Sequence, residues 1–268
     1  MTAEAAGRPA GDDVPASRFL TSLRMQAAEY RHRLLLLLLV MLLPVTFFAA
    51  TYYSTRTEPS PIAIEVPGRT GVSLVRPPER ETWPVSIGLM GVSWAVAAAA
   101  FFSVTGNLQK DRRLVLAGYR AWELLLARLT ILAVFSVALA FSAMLIFTGL
   151  ASSNHPWITW VAAFLAGLIA AGVGLLLGTL LPRPTEGMLL IIMIFGVGMS
   201  LGQDAGRYFF MHPTQQLLTV GRFSQDPWPY PYIWQGLLVA AAFVAGAVLL
   251  WWLRTRIPRR PLPEEVEA

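Results

Sequence analysis

From Leu129 to Pro182 the chain runs 54 residues without one Asp, Glu, Lys or Arg. A helix crosses the hydrocarbon core of a bilayer with about 20 apolar residues. The run is therefore long enough to cross twice. Its middle reads Ser152-Ser153-Asn154-His155-Pro156, a polar turn where a helical hairpin would bend. The feature predicts an all-α polytopic membrane protein.

Composition narrows the class. Of 268 residues, 55% are hydrophobic and 14% charged, and every charged stretch is short and lies between apolar spans. The chain reads as one membrane domain over residues 17–253. There is no cysteine, which excludes disulfide, thiolate-metal and Cys-nucleophile chemistry. The net charge of +5 does not point to nucleic acid, because the charges collect at span ends. Arg outnumbers Lys 20 to 1, a compositional hint of a GC-rich bacterial genome and hence of a bacterial plasma membrane.

Six spans are expected, at residues 34–53, 84–105, 121–150, 157–181, 187–203 and 231–253. Pro44 is a kink candidate in the first. The fifth has 17 residues. That is roughly 26 Å at 1.5 Å per residue, marginal against a core of about 30 Å. Trp251-Trp252 closes the sixth as an interfacial pair. With the N-terminus inside, 15 of the 21 Lys and Arg fall on the cytoplasmic side. Arg56, Arg69, Arg76, Arg80, Arg207 and Arg222 remain outside. The asymmetry predicts cytoplasmic termini, with residues 1–16 and 254–268 as tails.

No ionisable residue lies in the middle of a span, which disfavours a proton relay or a secondary carrier. His32, His155 and His212 fall in flanks and turns and read as solvated. There is no His-Glu-x-x-His or Gly-x-Ser-x-Gly motif and no pair of intramembrane Asp. The chain reads as a non-enzyme, with no catalytic, cofactor or metal residue. Ala166, Ala170, Gly174 and Gly178 recur every four residues, as do Gly198, Gly202 and Gly206. Such ridges let helices approach closely. Packing within one bundle is the simpler reading, and a sliding or dimerising face the sharper one.

Three cytoplasmic segments carry more. In Ser17–Arg33, Phe19, Leu23, Ala27 and Tyr30 share one face and the arginines fall largely elsewhere, with Ser17 as a helix cap. This is a basic amphipathic helix suited to the membrane interface. In Asn107–Tyr119, Asn107 is an N-cap and Gly118 a C′ residue for a short helix. It sets Lys110, Arg112 and Arg113 beside Leu114, Val115 and Leu116, a mixture suited to docking a partner. At the start of span three, Arg120 and Glu123 are three apart and can pair. Glu123 and Arg128 stand about 140° apart around the helix and face different ways.

The stretch Asp111-Arg-Arg-Leu-Val-Leu-Ala-Gly-Tyr-Arg-Ala-Trp-Glu-Leu-Leu-Leu-Ala-Arg-Leu is the most specific. With the amphipathic helix, the six spans and the outer loop after span one, it resembles the permease subunit of type-2 ABC exporters. The resemblance covers nearly the whole chain. It implies a coupling helix at Leu108–Ala117 and a helix re-entering from outside at Pro213–Val220, with Gly221 as its stop. It implies a pathway between spans two and five, for which Ser86, Ser93, Ser103, Gly198, Ser200 and Gln203 are candidates. The substrate would be hydrophobic or amphiphilic, a drug, antibiotic or lipid. The only lysine, Lys110, lies in no Gly-x-x-x-x-Gly-Lys phosphate loop. ATP and Mg would therefore sit on a separate ATPase chain, with a second permease copy or homologue completing the assembly. The competing reading is a membrane anchor or assembly subunit without transport.

Overall fold

The computed structural model describes residues 15–32, 34–59, 61–65, 72–116, 118–119, 121–151, 153–181, 183–200, 206–225 and 228–255. In chain order the elements are α1 (Pro15–His32), α2 (Leu34–Ser54), β1 (Ile62–Glu65), β2 (Val72–Val75), α3 (Glu79–Thr105) and α4 (Leu108–Leu116). They continue with α5 (Ala121–Leu150), α6 (Pro156–Leu180), α7 (Pro184–Ser200), α8 (His212–Phe223) and α9 (Tyr230–Thr255).

Four helices, α3, α5, α6 and α9, are long and apolar enough to cross a membrane. They divide by what covers them. Of the most apolar 18 residues of α3 and α6, 72% and 78% are buried in the protein, against 28% and 22% for α5 and α9. On α5, Trp122, Leu126, Val134, Val137, Phe141 and Leu145 are exposed along one helical stripe. Water does not tolerate so continuous an apolar stripe. Lipid does, because the helix satisfies its own backbone. This is the pattern of an integral membrane protein. Two shorter apolar helices join the four: α2, with 21 residues and no charge, and α7, with 17.

The helix α6 is the hub, packed on α3, α5, α8 and α9. A Cβ on Gly174 would collide with the Ala97 carbonyl of α3, and one on Gly178 would lie 3.0 Å from the Phe101 carbonyl. Gly172 packs in the same way on Phe243 of α9, and Gly167 on Ser136 of α5. Ala166 and Ala170 are fully buried. The small-residue ridge of α6 is thus internal packing.

Several boundaries differ from those expected. The α2–α3 connection is not plain loop: β1 and β2 pair antiparallel, Ile62 opposite Val75 and Glu65 opposite Val72. Two backbone bonds, Glu79 N–H to Glu58 O (2.9 Å) and Arg80 N–H to Arg56 O (3.1 Å), close its base. The many prolines of this segment masked two short β-prone runs. The helix α3 starts at Glu79, with Pro84 inside it, because Glu79 and Glu81 suit a helix N-terminus. Likewise α1 starts at Pro15, so Ser17 lies within the helix. Pro184 starts α7 three residues early, and residues 201–205 are outside the described set. Gly221 does not stop α8, which runs to Phe223 with Gly221 packed on Ile158.

At this end of the bundle Arg222 ties three elements together. Its guanidinium donates to the Glu81 carbonyl at the start of α3 and stands 4.8 Å from the Phe223 ring. The Arg222 carbonyl accepts from Asn154 N–H (3.3 Å) in the α5–α6 turn. Burial lowers the Arg222 pKa to about 10, with the Glu81 charge opposing, so it stays cationic at neutral pH.

Candidate functional site

The opposite end holds the short helix α4, and its position follows from its two termini. Asn107 Nδ2 donates to Ser103 O (3.2 Å) at the end of α3. The Asn107 carbonyl accepts from Asp111 N–H (2.9 Å), the first rung of α4. The expected cap residue is in place, with its amide turned back onto the preceding helix. At the other terminus Gly118 takes φ +94°. Its N–H bonds Val115 O (3.1 Å), and Tyr119 N–H bonds Leu114 O (3.0 Å). This is a Schellman closure, which needs glycine at that position. Leu114 and Tyr119 then pack on Leu124, Leu125 and Trp251, fixing α4 against α5 and α9.

The helix has two faces. Asp111 is buried, and Leu114 and Val115 are partly buried on the same side, at spacings of three and four. Lys110, Arg113 and Leu116 are exposed on the other side, Leu116 to 70%. Of the residues expected to dock a partner, these three face outward, and Leu114 and Val115 hold α4 in place. The Arg112 side chain and all of Arg120 lie outside the described residues, so the expected Arg120–Glu123 pair does too. Glu123 is buried.

Beneath α4 lies an ion pair. Arg128 Nη2 on α5 donates to Asp111 Oδ2 at 3.0 Å and Oδ1 at 3.4 Å. The two side chains are 3% and 5% exposed. At that depth neither charge is screened by solvent, and each depends on the other. The helix α1 closes the site from the side: Gln26 Nε2 donates to the Leu124 carbonyl (3.0 Å). The covered face of α1 runs through Phe19, Ser22, Leu23 and Gln26. Of the expected face, Phe19 and Leu23 lie on this covered side, Ala27 is exposed, and the Tyr30 side chain lies outside the described residues. The α1–α4–α5 junction encloses a groove of about 570 Å³, with Asp111 and Arg128 in its lining.

Sequence reasoning missed Asp111, Gln26 and Ser22 as members of this site. For Asp111 a signal existed: it shares the face of Leu114 and Val115 at helical spacing. An acid on an apolar face calls for a buried cation.

The pathway candidates do not gather in the same way. Ser93 and Ser103 are buried on α3 and give their hydroxyls to Leu89 O (3.1 Å) and Ala100 O (2.6 Å). Ser86 is exposed and bonds Thr82 O (3.2 Å). These hydroxyls are spent on their own helix. Gly198 packs directly under the Phe209 ring. The Ser200 side chain and Gln203 are outside the described residues. No family model matches the chain, and no curated protein matches it either.

Proposed function

We propose that the chain is the permease subunit of a type-2 ABC exporter in a bacterial plasma membrane. In this reading α2, α3, α5, α6, α7 and α9 are six spans with both termini cytoplasmic. The helix α4 is the coupling helix, α1 lies in the cytoplasmic interface, and α8 re-enters from outside. The ATPase, with its ATP and Mg, is a separate chain, and a second permease completes the transporter. The substrate is hydrophobic or amphiphilic, in keeping with helices whose hydroxyls are turned inward on their own backbones.

One observation carries the reading. The nine-residue α4 joins two membrane-length helices, is pinned to α5 on one face by a buried ion pair, and shows Lys110, Arg113 and Leu116 on the other. A helix held this firmly transmits a push applied to its free face. For such a push to drive transport, the ATPase must bind the two permease conformations with different free energies.

A photo-crosslinking residue at Arg113 tests this in native membranes. The expected adduct is a P-loop ATPase, identified by mass spectrometry, with yield that changes on ATP addition. Adducts to lipid alone would contradict the proposal.

A further inference from the structure

Gln26 and Arg128, which line the α1–α4–α5 groove, each carry a buried polar atom that ATPase docking leaves unused. Arg128 gives Nη2 to Asp111, and its Nη1 has no hydrogen-bond partner among the described residues. Gln26 gives Nε2 to the Leu124 carbonyl, which orients the amide and leaves Oε1 without a partner among the described residues. Both residues line the groove, between walls of Met25, Ala28, Leu114 and Leu124. Among the described residues, Lys110 and Arg113 bring the lining to three cations and one carboxylate, Asp111. Buried polar atoms are rarely left unsatisfied, so a donor and an acceptor of this kind on residues lining one groove describe a ligand. That ligand carries an anionic acceptor and a neutral donor close together, beside apolar surface. Arg128 is the last charged residue before the 54-residue apolar run. The donor therefore sits at the depth where headgroups meet hydrocarbon.

We propose that this groove binds an anionic glycerophospholipid with a hydroxylated headgroup, of the phosphatidylglycerol class. Its phosphate oxygens accept from Arg128 Nη1, and a headgroup hydroxyl donates to Gln26 Oε1. An acyl chain follows the Met25–Ala28–Leu114–Leu124 wall. Lys110 and Arg113 supply the field that favours an anion over a zwitterion. A choline headgroup has the phosphate, but it lacks the hydroxyl donor and the net charge. The two contacting groups, Gln26 on α1 and Arg128 on α5, are not part of the proposed docking face of α4, whereas Lys110 and Arg113 are shared with it.

The test is native mass spectrometry of the full-length protein, titrated with short-chain phosphatidylglycerol, phosphatidylcholine of equal chain length, and glycerol phosphate without chains. The expected result is that phosphatidylglycerol is held about tenfold more tightly than phosphatidylcholine, and glycerol phosphate more weakly still. Gln26→Leu should bring phosphatidylglycerol to the phosphatidylcholine level. Arg128→Lys, which keeps a cation for Asp111 but removes the guanidinium's second nitrogen, should weaken both lipids, since both carry the phosphate. If one variant does not fold, the other decides. Equal retention of the two lipids, or binding untouched in a folded variant, would overturn the site. Glycerol phosphate bound as tightly as the lipid would overturn the lipid assignment in favour of a free anion.

Discussion

Asp111 and Arg128 set the most exacting condition in the chain. Each is buried, and removing Asp111 leaves Arg128 as a buried charge without its ion-pair partner, at a cost of about 3–5 kcal/mol. Asp111→Ala is therefore expected to lower the melting temperature in detergent sharply. Asp111→Asn combined with Arg128→Gln should recover much of the loss, because neutral amides of similar shape can bond each other. Equal melting of the single and double variants would show that the charges do not depend on one another. Gly118 is a gentler case: its φ of +94° costs an L-residue about 1–2 kcal/mol, and nothing stands within 4 Å of a Cβ there. Gly118→Ala should lower stability by that amount without a steric effect. The glycine was legible in the sequence and the ion pair was not. A C′ glycine is a local signal, read within one turn. Asp111 and Arg128 are 17 residues apart on two helices, α4 and α5, and only the packing of one on the other brings them together.

Among elements, the contact of α3 with α6 has least room for change. Gly174→Val would drive a side chain into the Ala97 backbone, and overpacking of this kind costs about 1–3 kcal/mol or more. Gly149, near the end of α5, has nothing within 4 Å of a Cβ. Gly149→Ala should be neutral or slightly stabilising, since alanine is the better helix former by about 1 kcal/mol. Comparing the thermal melts of the two variants checks the packing directly, and similar melts would contradict it. The long helices were legible because apolar length is a strong signal. So was the α5–α6 turn, whose polar residues fall between Leu150 and Pro156. Helix starts were less so, since a proline such as Pro84 marks a first turn in sequence yet lies inside α3. The β1–β2 hairpin was missed because Ile62–Glu65 and Val72–Val75 are only four residues each and are flanked by proline.

At the scale of the molecule, α3 and α6 form a covered centre and α5 and α9 an exposed apolar flank. The small-residue ridge could have served a dimer, but it is consumed at this centre. A partner would meet the exposed stripe of α5, the apolar face of α7 or the free face of α4. The orientation can be checked simply because the chain has no cysteine. A single cysteine at Arg113 should react with an impermeant thiol reagent only from the cytoplasmic side, and one at Arg76 only from outside. The reverse pattern would invert the topology. The most direct measurement is co-purification of the tagged protein from its native membranes in mild detergent, with and without Lys110→Glu and Arg113→Glu together. The account predicts a P-loop ATPase in near-equal amount with the unaltered chain and its loss with the folded double variant. A preparation without any ATPase, even after gentle crosslinking, would contradict the account and leave a membrane anchor in its place.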